Sequence, residues 1–170
     1  MGLSIGIGGV SRAGKTTLSN YILGLYPKKR SLIISMDDFV LEANKIPKIK
    51  DRVDWETPAS VDYAQIKKRI EEAVDEYDFV ITEGILIFYS EKVNQLFDKR
   101  IFIDIPKSLF YIRRHSETRW GEEPKWYIDY VWESYLNYGQ LKENFNDTLY
   151  IRGDEDFSVL MIDEHLFKVG

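Results

Sequence analysis

Apolar residues recur along the chain in two rhythms, and their alternation predicts the architecture. Short unbroken apolar runs of strand length begin at Leu3, at Ser31, at Phe79, at Arg100 and at Thr148. Between them apolar positions recur at helical spacing. Leu18, Ile22 and Leu25 mark a helix from Thr16 to about Leu25, closed by Tyr26-Pro27. Ser60 is the expected cap of a helix to about Tyr77, with Val61, Ala64, Ile70 and Val74 inward and Lys67, Lys68, Glu71 and Glu72 outward. A short helix is expected over Ser90 to Phe97, another from Pro106 to about Arg119, a Tyr-rich one over Tyr127, Tyr130, Val131, Ser134, Tyr135 and Tyr138 to about Leu141, and a last over Asp156 to Phe167. The tyrosine stripe reads as core rather than as a ligand platform. Strands alternating with helices imply an α/β fold, a parallel sheet of about five strands covered on both faces. Residues 40 to 58 break the rhythm and contain Pro47 and Pro58, so a long irregular excursion is expected there.

The first apolar run breaks into glycines and ends on Gly9-Val-Ser-Arg-Ala-Gly14-Lys15-Thr16, the full phosphate-binding P-loop pattern. Glycines let backbone N–H groups turn inward around a polyphosphate, Lys15 supplies a compact positive charge, and the Thr16 hydroxyl can ligate Mg²⁺. A helix starting near Thr16 adds its positive dipole end. Gly9, Ser11, Arg12, Ala13, Gly14, Lys15, Thr16 and Thr17 are therefore the expected triphosphate-binding positions. The fold expectation narrows to a P-loop NTPase-type three-layer sandwich.

Composition changes this picture only by exclusion. At 170 residues a single domain, 1–170, is expected. The net charge of -5 argues against a nucleic-acid backbone as the main partner, and the absence of Cys excludes disulfides and thiolate metal sites. No run approaches a membrane span and the N-terminus leads straight into a strand, so the expected location is cytoplasmic.

Chemistry beyond the loop rests on carboxylates and arginines. Asp37 and Asp38 follow the second strand, at the sheet edge where open α/β folds bind ligands. A phosphoryl-transfer site needs a carboxylate to orient Mg²⁺ or take the proton of an attacking hydroxyl. If the segment is extended only one of the pair faces the site, and Asp37 is the choice. Glu83, at the end of the third strand, is a second metal-side candidate beside Thr16 and Asp37. Arg113, Arg114 and Arg119 lead into Gly121-Glu-Glu-Pro124, and a lid over about 113–126 would bring them onto the transferring phosphoryl group and exclude water. His115 and His165 lack partners at metal-ligand spacing and read as structural or surface residues. Asn44-Lys45-Ile46-Pro47 starts like a guanine-reading tetrad but lacks its Asp.

Taken in order, Gly6-Ile-Gly-Gly-Val-Ser-Arg-Ala-Gly-Lys-Thr-Thr17, Met36-Asp-Asp-Phe39, Asp54-Trp-Glu-Thr-Pro58, Glu83-Gly-Ile-Leu-Ile-Phe88, Arg113-Arg-His-Ser-Glu-Thr-Arg119 and Tyr150-Ile-Arg-Gly-Asp154 resemble the uridine kinase and nicotinamide riboside kinase group. The resemblance implies ATP- and Mg²⁺-dependent phosphorylation of the ribosyl 5′-hydroxyl of a small nucleoside-like acceptor. It implies Asp37 as catalytic or Mg²⁺-orienting acid, Lys15 and Thr16 as phosphate and metal groups, and Glu83 as a metal-side carboxylate. Arg113, Arg114 and Arg119 would serve the lid, and Arg152 and its turn would lie near adenine. Trp55-Glu56 falls where the family has an aromatic residue followed by Asp, the acid that holds ribose hydroxyls; Glu is one methylene longer, which leaves the acceptor open. Trp120 and Trp126 are candidates either to stack on a base or to pack. A monomer or homodimer is expected, and the alternative reading is a P-loop ATPase or nucleotide switch without a small-molecule acceptor.

Overall fold

The structure, a computed structural model, describes residues 1–118, 121–142 and 145–167. The strands in chain order are β1 (Leu3–Gly9), β2 (Ser31–Ser35), β3 (Lys48–Ile49), β4 (Arg52–Val53), β5 (Phe79–Glu83), β6 (Lys99–Asp104) and β7 (Thr148–Arg152). The helices are α1 (Lys15–Leu25), α2 (Tyr63–Glu76), α3 (Glu91–Asn94), α4 (Lys107–His115), α5 (Lys125–Tyr138) and α6 (Val159–Phe167). Five strands form one sheet in the order β2-β5-β1-β6-β7, every neighbour parallel. This is the expected α/β architecture. Successive strand residues point to opposite faces, yet Ser4 to Gly9 and all of β5 are buried, so both faces of the sheet centre are covered. That double cover explains why these strands read as unbroken apolar runs. Ile5, Ile7, Ile81 and Ile101 form the centre of the core with Leu18, Ile22, Ile66 and Ile70 from α1 and α2.

Strand order decides where function can sit. With β1 central, the C-terminal ends of β2 and β5 lie on one side of it and β6 and β7 on the other. Ser35 and Ile7 are both in register with Glu83, and Asp104 is in register with Arg152. The P-loop, the segment after β2, Glu83 and the turn after β7 therefore share one edge of the sheet.

Several helix boundaries differ from expectation. Asp62, not Ser60, caps α2, its carboxylate accepting the Gln65 N–H at 3.0 Å. Ser60 is buried, and its hydroxyl donates to the Thr57 and Trp55 carbonyls at 2.7 and 3.0 Å. With the helix starting later, Ile66, Ile70 and Ala73 form its inward face; Ala64 is exposed and Val74 half-buried. The helix expected over 90–97 is only the single turn of α3, because Phe97 turns inward onto Phe88, ring centroids 5.9 Å apart, and the chain enters β6. Helix α4 stops at His115 rather than near Arg119.

The excursion over 40–58 is tied off rather than loose. At its neck Leu41 N–H donates to the Ser60 carbonyl and Asp62 N–H to the Phe39 carbonyl, both at 2.8 Å. Inside it, β3 and β4 pair antiparallel around a tight turn in which Lys50 takes φ 52°. Among the described residues no helix is long and apolar enough to cross a membrane.

Candidate active site

The phosphate loop leaves the sheet at a position only glycine can hold. Gly9 has φ +145°, and a Cβ there would lie 2.4 Å from the Ile103 carbonyl oxygen of β6. The chain then turns through Ser11 to Gly14 into α1, whose first N–H groups face the loop. Lys15 is buried, and its ammonium donates to the Val10 carbonyl at 3.0 Å across its own loop. Burial pushes the Lys15 pKa down, while the negative charges of Glu83, Asp37 and Glu56 push it back up. Three acids drawn from three separate chain segments thus act on one ammonium.

Glu83 is buried at the end of β5. Its Oε1 accepts from the hydroxyls of Thr16 and Ser35, each at 3.2 Å. Ser35, at the end of β2, was not singled out in the sequence; its only signal is a small hydroxyl residue ending an apolar run. Asp37 does not sit on an extended segment, so strand alternation does not decide between it and Asp38. Met36–Phe39 forms one 3-10 turn, which sends Asp37 into the cavity and leaves Asp38 outside its lining. Thr16, Glu83 and Asp37 offer hard oxygen donors, and among the described residues no group of three His, Cys, Asp or Glu side chains could cage a metal without help. That donor set fits Mg²⁺, which keeps waters and shares ligands with bound phosphates.

A cavity of about 1220 Å³ extends from this loop. The loop lines it with Ser11 through Thr17, and the excursion after β2 and helix α5 line it with Val40, Arg52, Trp55, Glu56, Val61 and Tyr127. Gly9 shapes the turn without lining the cavity. Glu56 is the most perturbed acid in the site. Burial, with the Asp54 and Glu123 charges adding to it, raises its pKa to about 7, although Arg114 and the Tyr127 hydroxyl draw it down. That hydroxyl donates to Glu56 Oε1 at 3.4 Å. Asp54 acts underneath: buried, it accepts from the Tyr130 hydroxyl at 2.7 Å and from the Glu56 N–H at 3.2 Å, fixing the 54–56 turn against α5. The tyrosine stripe is core, as expected: Tyr127 and Tyr135 are buried in it and Tyr130 and Tyr138 pack against it, while Tyr127 also lines the cavity.

The arginines divide their work. Arg113 donates to the Arg12 carbonyl at 3.0 Å and to the Gly153 carbonyl at 2.9 Å, tying the P-loop to the turn after β7. Arg114 is buried and held bidentately by Glu123 at 2.7 and 2.8 Å, while its third nitrogen donates to the Ser11 hydroxyl at 2.8 Å. Glu123 went unnoticed in the sequence, where it reads as one acid of a polar linker. Arg12 pairs with Glu117 at 2.9 Å. Arg119 and Trp120 lie outside the described residues. Arg152 does not line the cavity: its guanidinium is drawn to Asp154 at 2.8 Å and Glu155 at 3.0 Å, and Gly153, Glu155 and Phe157 face the cavity instead. Trp126 also stays out of the lining, packed edge-on against Tyr127 and beneath the Lys50 ammonium, 3.9 Å from its ring centre.

No family model matches the chain. A uridine kinase of Ureaplasma parvum is 30% identical over 134 residues, covering 64% of this chain; the chain spans 65% of that relative's length. Nicotinamide riboside kinase 2 of Mus musculus is 26% identical over 174 residues, covering 90% of this chain and 88% of that protein. Among solved structures, a D-glycerate 3-kinase from Cryptococcus neoformans superposes with a TM-score of 0.62 at 10% identity, over 91% of this chain and 87% of that one. The fold is therefore that of the P-loop kinases, and the chain is similar in sequence to the uridine kinase and nicotinamide riboside kinase group that its ordered motifs resemble.

Proposed function

We propose that this chain is a P-loop kinase that uses ATP and Mg²⁺ to phosphorylate the ribosyl 5′-hydroxyl of a nucleoside-like acceptor such as uridine or nicotinamide riboside. The observation that carries the reading is the single cavity running from the triphosphate loop past Asp37 to Glu56 and Trp55. A nucleotide switch has no use for a second, acid-lined half.

In this reading the loop N–H groups and Lys15 hold the β- and γ-phosphates of ATP. Thr16, Glu83 and Asp37 hold Mg²⁺, which when bound neutralises charge developing on the phosphates. Glu56 accepts hydrogen bonds from the ribose hydroxyls and Trp55 covers the sugar, leaving the 5′-hydroxyl near Asp37. Asp37 accepts the hydroxyl proton as the oxygen bonds to the γ-phosphorus and the bond to the bridging oxygen of ADP breaks. Arg114, fixed in direction by Glu123 and Ser11, supplies positive charge at the loop. Arg113 serves as a positioning residue, two of its five donors tying the P-loop to the turn after β7.

Coupled ADP release with a panel of nucleoside, vitamin and sugar acceptors tests this. Turnover that rises well above the water background with at least one ribosyl acceptor is expected. ATP hydrolysis indifferent to every acceptor would sink the kinase reading and favour the ATPase.

A further inference from the structure

The acceptor half of the cavity holds a cation that the mechanism does not use. Arg52 opens β4 and lines the cavity a few residues before Trp55 and Glu56. It is half-buried, and among the described residues it meets no carboxylate. Its one specific neighbour is an aromatic face, the Tyr127 ring, whose centre lies 5.4 Å from the guanidinium carbon. An arginine lying over a ring keeps its planar fork in a fixed direction and its edge donors free. Another cation of this hairpin, Lys50, is pinned in the same way on Trp126. Two cation–π contacts thus seat the β3–β4 hairpin on the first turn of α5 and hold Arg52 at the rim of the acceptor space.

Charge balance makes this arrangement pointed. The chain as a whole carries a net charge of -5, and acids elsewhere in the cavity meet cations: Glu123 is matched by Arg114, and Glu83, Asp37 and Glu56 act on Lys15. Among the described residues nothing accepts from this half-buried guanidinium, which leaves its donors to a ligand in the cavity. A carboxylate, like a phosphate, matches the geometry of the fork.

We infer that Arg52 is a specificity residue for the acceptor, and that the preferred acceptor carries a carboxylate on the part of the molecule remote from the phosphorylated hydroxyl. This rests on the kinase reading and deepens it: Glu56 holds the sugar hydroxyls, and Arg52 takes the anionic end in a bidentate pair. Lys48 and Lys50 on the same hairpin add a positive approach for an anion.

The test compares acceptor twins that differ only in carboxylate against carboxamide: nicotinamide riboside and its carboxylic acid analogue. Coupled ADP release is measured at two ionic strengths for the wild type, Arg52→Met and Arg52→Lys. A charge-assisted pair predicts a KM at least about tenfold lower for the carboxylate twin, rising with salt, while the carboxamide KM stays flat. Arg52→Met should bring the ratio of the two kcat/KM values close to one, and Arg52→Lys, which keeps charge without the fork, should fall between. Loss of hairpin packing alone would lower both twins together and leave their ratio intact, so a ratio that survives Arg52→Met overturns the inference. Equal KM values in the wild type overturn it too, with the kinase reading left standing. Absence of acceptor-dependent turnover with either twin, and with every neutral acceptor of the wider panel, overturns both.

Discussion

Glu56 is the residue on which the chemistry and the stability of this protein pull in opposite directions. Its folded pKa, raised to about 7, lies above that of an unfolded glutamate. Such a group stabilises the fold below the unfolded pKa and loses that contribution as pH rises through the folded one. Glu56→Gln should therefore raise Tm by a growing margin between about pH 5 and pH 8, read by thermal melts across that range. Acceptor binding should run the other way: the wild-type acceptor KM falls as pH rises through 7 and Glu56 ionises, while Glu56→Gln gives a flat, higher KM. A pH-independent KM in the wild type would remove Glu56 from sugar binding. Asp37→Asn should cost about two to four orders of magnitude in turnover with nucleotide affinity retained, checked by pairing initial rates with calorimetric nucleotide binding. At this scale Lys15, Glu83 and Asp37 were legible because Lys15 opens a helix, Glu83 ends a strand and Asp37 follows one closely. Glu123 and Ser35 were not: Glu123 meets Arg114 nine residues back and Ser35 meets Glu83 on the neighbouring strand, and neither offset is a helical or strand spacing.

At the scale of elements, the site depends on turns held at fixed offsets from the sheet. Gly84 lets the 3-10 turn carrying Asp37 sit flush on β5, for a Cβ there would come within 2.5 Å of Met36 Cβ. Gly84→Ala should push the turn outward, and kcat should fall by more than the KM for ATP rises, because the P-loop itself is untouched. Equal changes in both would contradict this. The Arg114–Glu123 pair joins α4 to the segment before α5, with side-chain exposures of only 6% and 10%. Arg114→Met leaves a buried carboxylate without its counter-charge and should cost about 3–5 kcal/mol in urea unfolding, beyond any loss of activity. The strands were readable because their two-sided burial produces unbroken apolar runs. The ends of α2, α3 and α4 were not, because they are set by Asp62, by Phe97 turning onto Phe88 and by tertiary placement rather than by periodicity. The hairpin inside 40–58 left no rhythm to read, its strands being two residues each.

The whole molecule brings the proposed donor and acceptor residues to one sheet edge, where they line a shared cavity. Strand order does this: β1 at the centre delivers the P-loop, β5 and β2 deliver Glu83 and Asp37 on one side, and β6 and β7 deliver the turn that Arg113 clasps on the other. A non-hydrolysable ATP analogue with Mg²⁺ should raise Tm, by about 2.7 kcal/mol of added stability at a hundredfold excess over Kd, and Lys15→Ala should abolish the shift. The central claim is transfer to an acceptor rather than to water, and phosphorus NMR of the reaction products tests it most directly. With ATP, Mg²⁺ and a ribosyl acceptor, a new phosphomonoester resonance coupled to the 5′ methylene protons should grow in step with ADP and be lost in Asp37→Asn. Growth of inorganic phosphate alone, at the same rate with and without any acceptor, would contradict the account.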